Sequence, residues 1–325
     1  MGLIGIVANP ASGKDVRRLV ARASVFDNQE KQAIVQRLLV GAGALEKPQV
    51  LYMADPHGIV AGGLEEVGGF CAKPVPTDET GTAFDTIVAA RAFKAAACDV
   101  VITLGGDGTN RAFALGWHDP ALIPLSTGTN NVFPNLAEAT VAGAAAGLIA
   151  SGTGSVSNVT HQHKMIRVEI EGERNDLALI DAVLSRERFV GARALLDPTA
   201  LELALLTRAE PAAVGMTTLG GLLQPVSGRE DVGLLVELAT DAKHHVNAPI
   251  APGYYRDVGV TNHRTVPFGE TIHVEGPGVL AFDGERERRL MPGQRATLTV
   301  QRDGPRIVDI EQTLAIAAER GVFRN

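Results

Sequence analysis

The chain has 325 residues, which is enough for about two domains, and its 45% hydrophobic and 21% charged residues exclude an intrinsically disordered protein. A net charge of −7 gives no overall positive field for a polyanion, so nucleic acid is not expected as a partner. Two cysteines exclude a disulfide framework. Because the sequence shows neither a signal segment nor a long apolar run, we expect a cytoplasmic protein without stable membrane association.

Short β-branched runs alternate with alanine-rich stretches in the first half of the chain, as in parallel βαβ units. The predicted strands are 3–8, 50–53, 71–75, 100–104 and 122–125. The predicted helices lie near 16–23, 29–39, 58–67, 83–97, 111–115 and 137–150. This order predicts a doubly wound, mostly parallel sheet with helices on both faces.

The pattern changes after the small-residue segment 151–157. Apolar and polar residues then alternate between Gly and Pro turns, which is typical of an antiparallel β-sandwich. These segments are 165–170, 234–239, 271–275 and 296–300. We place the boundary near residue 153, with an α/β domain over 1–153 and a β-rich domain over 154–325. Residues 310–322 return to helical spacing, and we expect this C-terminal helix to pack back on the first domain.

The strongest chemical signal is Gly105-Gly106-Asp107-Gly108-Thr109-Asn110, directly after a predicted strand. In open α/β sheets, ligands bind beyond the carboxyl ends of strands, where glycine lets the backbone approach a phosphate and the next helix presents its N–H groups. Asp107 there would either accept a hydroxyl proton or bind the magnesium ion that bridges nucleotide phosphates. The alternative is a plain strand-to-helix turn, but such a turn rarely requires three glycines.

Two further polar turns also follow predicted strands. Asn9-Pro10-Ala11-Ser12-Gly13-Lys14 is close to a P-loop, but Ala8 and Asp15 occupy positions where that motif needs Gly and Ser or Thr. Ser126-Thr127-Gly128-Thr129-Asn130-Asn131 offers hydroxyls and amides suited to ribose or phosphate oxygens. Each turn alone is equally compatible with an ordinary turn or a capped helix start. Because all three follow strands of one sheet, we expect them to converge on one edge.

Together these turns resemble the superfamily that joins NAD kinases with diacylglycerol and sphingosine kinases. The resemblance is carried by residues 9–13, by Gly105-Gly106-Asp107-Gly108-Thr109 and by residues 128–131. Within the superfamily, the whole chain is most similar to ATP-NAD kinase-like proteins of the acetoin catabolism protein X type. The resemblance covers most of the chain, because that family also has a β-rich second domain. It also implies a homo-oligomer, either a dimer or a tetramer.

The resemblance implies which residues bind ATP and act on it. Asp107 is the implied catalytic residue for phosphoryl transfer. The implied nucleotide-binding residues are Asn9, Pro10, Ser12, Gly13, Gly105, Gly106, Gly108, Thr109, Asn110, Gly128, Thr129, Asn130, Asn131, Asp181 and Glu285. No metal site is expected from the protein alone, since magnesium would enter with the nucleotide, and Asp107 and Glu285 are the candidates to contact it.

The second domain departs from the NAD kinase pattern. NAD kinases carry an Asn-Glu pair that holds the dinucleotide, and the similar stretch here has Asp181 and Ala182. Lipid kinases carry an Asp-Gly-Glu near the end of the sandwich, which Asp283-Gly284-Glu285 resembles. A two-residue hairpin turn explains the Asp-Gly pair equally well.

These residues predict ATP-dependent phosphoryl transfer to a hydroxyl of a small molecule, similar to the conversion of NAD to NADP, in a cleft between the domains. The implied cofactors are ATP and Mg²⁺, with NAD as the first acceptor to test. One alternative is a diacylglycerol-type lipid kinase, although the chain lacks a basic amphipathic stretch for anionic membranes. The other is a catalytically silent nucleotide-binding accessory or sensor protein in acetoin-type catabolism, suggested by the altered pair at residues 181–182.

Overall fold

The first domain of this computed structural model is built around a largely parallel sheet. The structure describes residues 2–13, 27–127, 131–153, 156–186 and 198–324, and only the backbone of residues 285–287. In that part of the chain the strands of this sheet are β1 (Leu3–Ala8), β2 (Gln49–Met53), β3 (Ala72–Val75), β4 (Val100–Gly105), β5 (Ala121–Ser126), β6 (Thr160–Gln162) and β18 (Arg306–Val308). Their order is β3-β2-β1-β4-β5-β18-β6, and only β6 runs antiparallel to its neighbour.

Helices cover both faces of this sheet. They are α1 (Asn28–Ala42), α2 (Ile59–Val67), α3 (Ala83–Ala95), α4 (Asp107–Gly116), α5 (Ala139–Ala150), α6 (Val156–Val159) and α8 (Ile310–Glu319). One face buries α1, α2 and α5, and the other buries α3 and α4. The helix predicted at 16–23 lies outside the described residues.

The strand order places a topological switch between β1 and β4. The chain moves outward from β1 through β2 to β3, returns to pair β4 with the other side of β1, and continues to β5. Connections therefore leave β1 and β4 in opposite directions, which opens a crevice at their carboxyl ends. The turns after Ala8 and Gly105 both begin at this crevice.

The second domain is an antiparallel sandwich. Its strands are β7 (Met165–Ile170), β8 (Asp176–Ala178), β9 (Asp181–Ser185), β10 (Leu201–Leu206), β11 (Val232–Leu238), β12 (His244–Ala251), β13 (Tyr254–Pro267), β14 (Thr271–Glu275), β15 (Gly278–Phe282), β16 (Glu285–Leu290) and β17 (Arg295–Gln301), with the helix α7 (Met216–Leu223). One sheet has the order β12-β13-β11-β10-β9-β15-β16 and the other β14-β17-β7-β8. The inward residues of both sheets, such as Val168, Leu298, Leu184 and Leu280, form the core between them.

The C-terminal segment returns to the first domain. After the sandwich, β18 pairs in parallel with β5, and α8 adds Ile310 and Ile316 to the core beneath α1 and α5. The predicted fold class is therefore confirmed, including the docking of the C-terminal helix. Neither β6 nor β18 was predicted, because three-residue strands carry too little periodicity to be recognised.

Candidate functional site

The turn after β1 is tied to the start of α4 by the side chain of Asn9. Its Oδ1 accepts the N–H of Ala11 at 2.9 Å, which shapes the turn, and its Nδ2 donates to Thr109 Oγ1 at 2.9 Å. Ser12 Oγ donates to the Asn9 carbonyl at 2.8 Å and lies 2.9 Å from Thr127 Oγ1. Asn9 and Ser12 thus connect the first predicted turn to the other two.

A fully buried lysine, Lys31 of α1, lies beneath this turn. Its Nζ donates to the carbonyls of Asn9, Pro10 and Ser12 at 2.9, 3.2 and 2.8 Å and to Asn28 Oδ1 at 3.2 Å. A buried ammonium is stable only when its donors are satisfied, and here three main-chain oxygens of one turn satisfy them. Sequence reasoning missed Lys31, because one lysine in an amphipathic helix normally belongs to the solvent face.

The glycine-rich turn after β4 leaves no space for side chains. A Cβ on Gly105 would lie 2.4 Å from Thr109 Oγ1, and one on Gly106 would lie 2.6 Å from Asn131 Oδ1. The helix α4 begins at Asp107, four residues before the predicted start, because the turn residues form its first turn. The first N–H groups of a helix have no intrahelical acceptor, so this bare turn presents donors toward the crevice.

Asn110 of α4 holds the turn from within. Thr103 Oγ1 donates to Asn110 Oδ1 at 2.7 Å, and Asn110 Nδ2 donates to the Gly106 carbonyl at 2.9 Å. Asn110 is completely buried. Its structural role is therefore visible: it joins β4 to the first turn of α4.

The third predicted turn follows β5 and joins the same cluster. Thr127 N–H donates to the Gly105 carbonyl at 3.4 Å, and Asn131 Nδ2 donates to Ser126 Oγ at 2.8 Å. Gly128, Thr129 and Asn130 lie outside the described residues, as does Lys14. The described parts of all three turns meet at one edge of the sheet, as expected.

Asp107 lies in the middle of this cluster. Its Oδ1 accepts the N–H groups of Val132 and Phe133 at 3.0 and 2.8 Å, and its Oδ2 lies 3.1 Å from the Val132 nitrogen. An acidic residue in the first turn also suits the positive end of the helix dipole. Asp107 therefore fixes the segment after β5 in addition to any chemistry it performs.

The second domain is attached to α4 by a buried ion pair. Arg111 Nη2 lies 2.6 Å from Asp176 Oδ1, and Arg111 Nε donates to the Leu177 carbonyl at 2.7 Å. Arg288 of β16 binds the other oxygen of Asp176 at 2.9 Å. The guanidinium of Arg111 also lies 5.0 Å from the ring centroid of Phe282. The β15-β16 turn is thereby held next to α4.

The predicted Asp-Gly turn has a defined structural role. Asp283 and Gly284 adopt positive φ values of 51° and 78°, which makes the two-residue hairpin turn between β15 and β16. The Asp283 carboxylate accepts the N–H groups of Leu179, Ile180 and Asp181 at 3.0, 2.7 and 3.2 Å. Burial, reinforced by the charge of Asp181, raises the pKa of Asp283 to about 8, while the N–H groups of Leu179 and Ile180 oppose that rise.

Asp181 and Ala182 begin β9 next to the β15-β16 turn, and both are buried. Asp181 Oδ1 accepts the N–H of Gly284 at 3.3 Å, and Ala182 is fully buried. Glu285 begins β16 and pairs through its backbone with Phe282, while its side chain lies outside the described part.

The cluster fits a nucleotide phosphate better than a metal ion held by the protein alone. Within the described residues no group of three or more His, Cys, Asp or Glu side chains could hold a metal. None of the helices in those ranges is long and apolar enough to cross a membrane. The bare glycine turn at a helix N-terminus has instead the chemistry of an anion site.

Comparisons with known proteins agree with this geometry. The model of the ATP-NAD kinase N-terminal domain matches residues 4–153, and that of the acetoin catabolism protein X C-terminal domain matches residues 164–303. Acetoin catabolism protein X of Cupriavidus necator is 34% identical over an alignment of 343 positions, which covers 99% of this chain and 94% of that protein.

Solved structures share the fold at low identity. The yeast NADH kinase complexed with NADH matches with a TM-score of 0.54 and 14% identity, covering 100% of this chain and 89% of that chain. A protein of Bacillus anthracis described as a candidate diacylglycerol kinase matches with a TM-score of 0.51 and 12% identity, covering 94% and 96%. These likenesses establish a kinase-type fold.

Proposed function

The chain belongs to the acetoin catabolism protein X family, and from that membership and the geometry of its site we propose that it transfers a phosphoryl group from ATP to a hydroxyl of a small molecule. The family match to the ATP-NAD kinase N-terminal domain over residues 4–153 supports a nucleotide as phosphoryl donor. The acceptor to test first is NAD, with NADP as product.

One observation carries the proposal: three polar turns cross-linked by their own side chains meet at the switch point of the sheet. Asn9 binds Thr109, Ser12 lies against Thr127, and the bare Gly105-Gly106 turn lies between them. Ligands of open α/β sheets bind at this position, and a helix N-terminus behind two glycines favours phosphate.

The proposed division of labour follows from charge and position. Main-chain N–H groups at the start of α4 would hold the phosphates of ATP, and Mg²⁺ entering with the nucleotide would neutralise the charge on the transferred group. Asp107 would take the proton of the acceptor hydroxyl. The oxygen of that hydroxyl would bond to the γ-phosphorus as the bond between the γ-phosphorus and ADP breaks. Asp181 lies in the second domain, at the turn that Arg111 and Phe282 hold against α4.

A second candidate is a nucleotide-binding protein without turnover. It is favoured by the hydrogen bonds of Asp107, whose carboxylate already accepts the N–H groups of Val132 and Phe133. The buried Ala182 also offers no carboxylate to a ribose. In this reading Asp107 serves only to fix the segment that follows β5.

The deciding experiment measures NADP formation by purified protein with Mg-ATP and NAD, comparing wild type with Asp107→Asn. The matched control is Asp85→Asn, because Asp85 also lies in the first turn of a helix and accepts the N–H groups of Thr80 and Gly81 at 3.0 and 2.8 Å. Its helix follows β3, which lies three strands away from β4 in the sheet.

We expect NADP formation in wild type and Asp85→Asn and its loss, by about 100-fold or more, in Asp107→Asn. Equal activity of Asp107→Asn and wild type would remove Asp107 from the mechanism. Binding of ATP by wild type without product from NAD would exclude NAD as acceptor, and the same result with other hydroxyl compounds would favour the second candidate.

A further inference from the structure

Arg208 connects the second domain to the segment that Asp107 binds. Its Nη2 donates to the carbonyl of Val132. The N–H of the same residue donates to Asp107 at 3.0 Å. Val132 is therefore held from one side by a carboxylate of the first domain and from the other by a guanidinium of the second.

The next residue is held as well. The N–H of Phe133 donates to Asp107 Oδ1 at 2.8 Å, and its ring lies 4.7 Å from the buried ring of His163 in an edge-to-face contact. His163 lies where the chain passes from β6 to β7, between the two domains. Two consecutive residues after β5 thus join Asp107 to groups at the domain junction.

The base of the Arg208 side chain is itself fixed. Thr207, the preceding residue, is fully buried, and its Oγ1 donates to the carbonyl of Leu179 at 2.8 Å while its N–H donates to that of Ile180 at 2.9 Å. The N–H groups of Leu179 and Ile180 are in turn bound by Asp283. Arg208 therefore projects from a rigid part of the second domain, and movement of that domain relative to the sheet would pull on Val132.

The charge of Arg208 is only partly used. Its Nη1 lies 3.6 Å from Glu210 Oε1, and its Nε is buried without an acceptor in the described part of the chain. The side chain is 16% exposed. Burying the Nε donor without an acceptor costs free energy, so the favourable contacts of the guanidinium are its bond to the Val132 carbonyl and its contact with Glu210.

We propose that Arg208 is a positioning residue for the proposed phosphoryl transfer: it fixes Val132 and Phe133 and so sets the orientation of the Asp107 carboxylate. Closure of the second domain on a ligand would then be transmitted to Asp107 through one main-chain carbonyl. The inference rests on the proposed function only for the role of Asp107 in the reaction; the mechanical link stands on the contacts alone.

The test combines hydrogen exchange with kinetics on the full chain. The variants are Arg208→Ala and Arg208→Lys, because lysine keeps one cationic donor that can reach the Val132 carbonyl. The matched control is Arg264→Ala on β13, an arginine paired with Glu270 at the surface. The first readout is amide exchange in a peptide covering residues 131–135, with a peptide of β4 as internal reference.

In Arg208→Ala, exchange at 131–135 is expected to accelerate about tenfold or more while β4 is unchanged, with most of the protection restored by lysine and none lost in Arg264→Ala. Where turnover is measurable, kcat should fall about tenfold in Arg208→Ala with KM for ATP changed less than about twofold. Wild-type exchange at 131–135 in Arg208→Ala would overturn the proposal. The exchange readout needs no activity, so a protein without turnover would contradict the proposed function while leaving this link testable.

Discussion

The turn after β1 depends on a single buried ammonium group. Lys31 Nζ donates to three carbonyls of that turn, so the turn and α1 are fixed to each other. This is an unusual position for lysine, because burying a charge is costly unless every donor is satisfied. An apolar side chain of similar size would remove all three bonds: the Asn9 carbonyl would keep its bonds from Ser12, but the carbonyls of Pro10 and Ser12 would lose their lysine donor.

Lys31→Met should therefore lower the free energy of unfolding by about 3 kcal/mol and weaken ATP binding, since the turn loses its internal support. The control is Lys94→Met, which changes an exposed lysine of α3 and should shift stability by less than about 0.5 kcal/mol. Urea denaturation measures both. A Lys31→Met protein as stable as wild type would show that these bonds contribute nothing net.

Asp283 should make the stability of the protein depend on pH. Burial raises its pKa in the folded state to about 8, from about 3.9 for an aspartate of the unfolded chain. The folded state therefore binds more protons than the unfolded state between those values, and the stabilising effect of the neutral carboxyl is lost as pH rises.

The variant Asp283→Asn stays neutral at every pH and keeps an oxygen that accepts the N–H groups of 179–181. Wild type should lose stability relative to Asp283→Asn as pH rises from about 5 to about 8, by up to about 1.4 kcal/mol per pH unit. Urea denaturation of both proteins across that range tests it. A stability difference independent of pH would mean that the carboxyl is ionised throughout.

Among the helices, α1 and α5 pack so closely that the backbone of one contacts the backbone of the other. A Cβ on Gly143 would lie 2.0 Å from the Leu38 carbonyl oxygen, and one on Gly147 would lie 2.4 Å from that of Ala42. Both obstacles are backbone atoms, which cannot rotate away. The spacing of four residues puts both glycines on one face of α5, where they allow the helices to touch.

Gly143→Ala should thus destabilise the fold by about 1–3 kcal/mol despite the better helix propensity of alanine. Gly62→Ala in α2 is the control, because its Cβ would meet only the end of the Gln32 side chain, at 2.5 Å. That variant should be neutral or up to about 1 kcal/mol more stable. Thermal unfolding distinguishes them, and equal melting temperatures would contradict the packing account.

The elements that sequence predicts best are those with strong periodicity. The predicted strands 165–170 and 271–275 match β7 and β14 residue for residue. The sequence predicts that α4 starts at 111 rather than 107, because Gly and Asp have low helix propensity. In the structure, tertiary contacts of these residues outweigh that propensity, and they form the first turn of the helix. The bonds of Asn9 to Thr109 and of Asp107 to Val132 were not predictable, since they join residues about 100 and 25 positions apart.

At the scale of the whole molecule, the two domains are joined by buried charge. Asp176 binds Arg111 of α4 and Arg288 of β16 at 2.6 and 2.9 Å, and its side chain is only 4% exposed. Sequence could not predict this pairing, because each partner alone is an ordinary charged residue and only the fold brings the three together.

Arg111→Met removes one of the two cations that bind the buried carboxylate of Asp176, so Arg288 alone remains, and it also removes the donor to the Leu177 carbonyl. We expect the free energy of unfolding to fall by about 3 kcal/mol, at the lower end of the range for breaking a buried ion pair. The control Arg37→Met breaks the pair that Arg37 forms with Glu30; the two side chains are 44% and 48% exposed. This variant should lower the free energy of unfolding by less than about 1 kcal/mol. Denaturation in urea measures both variants, and a comparable small loss in each would show that the bond between Arg111 and Asp176 contributes little net stability.

The proposed function requires that phosphate binds at the turn after β4, and calorimetric titration of Mg-ATP into wild type and Gly106→Ala measures that binding. The added methyl group would press on Asn131 Oδ1, at 2.6 Å, at a backbone position without a positive φ, and Gly62→Ala again serves as control. We predict that ATP binds wild type and the control alike and binds Gly106→Ala at least about tenfold more weakly, while Gly106→Ala remains folded at the temperature of the titration. Equal ATP affinity in all three proteins would place the nucleotide elsewhere and contradict the account.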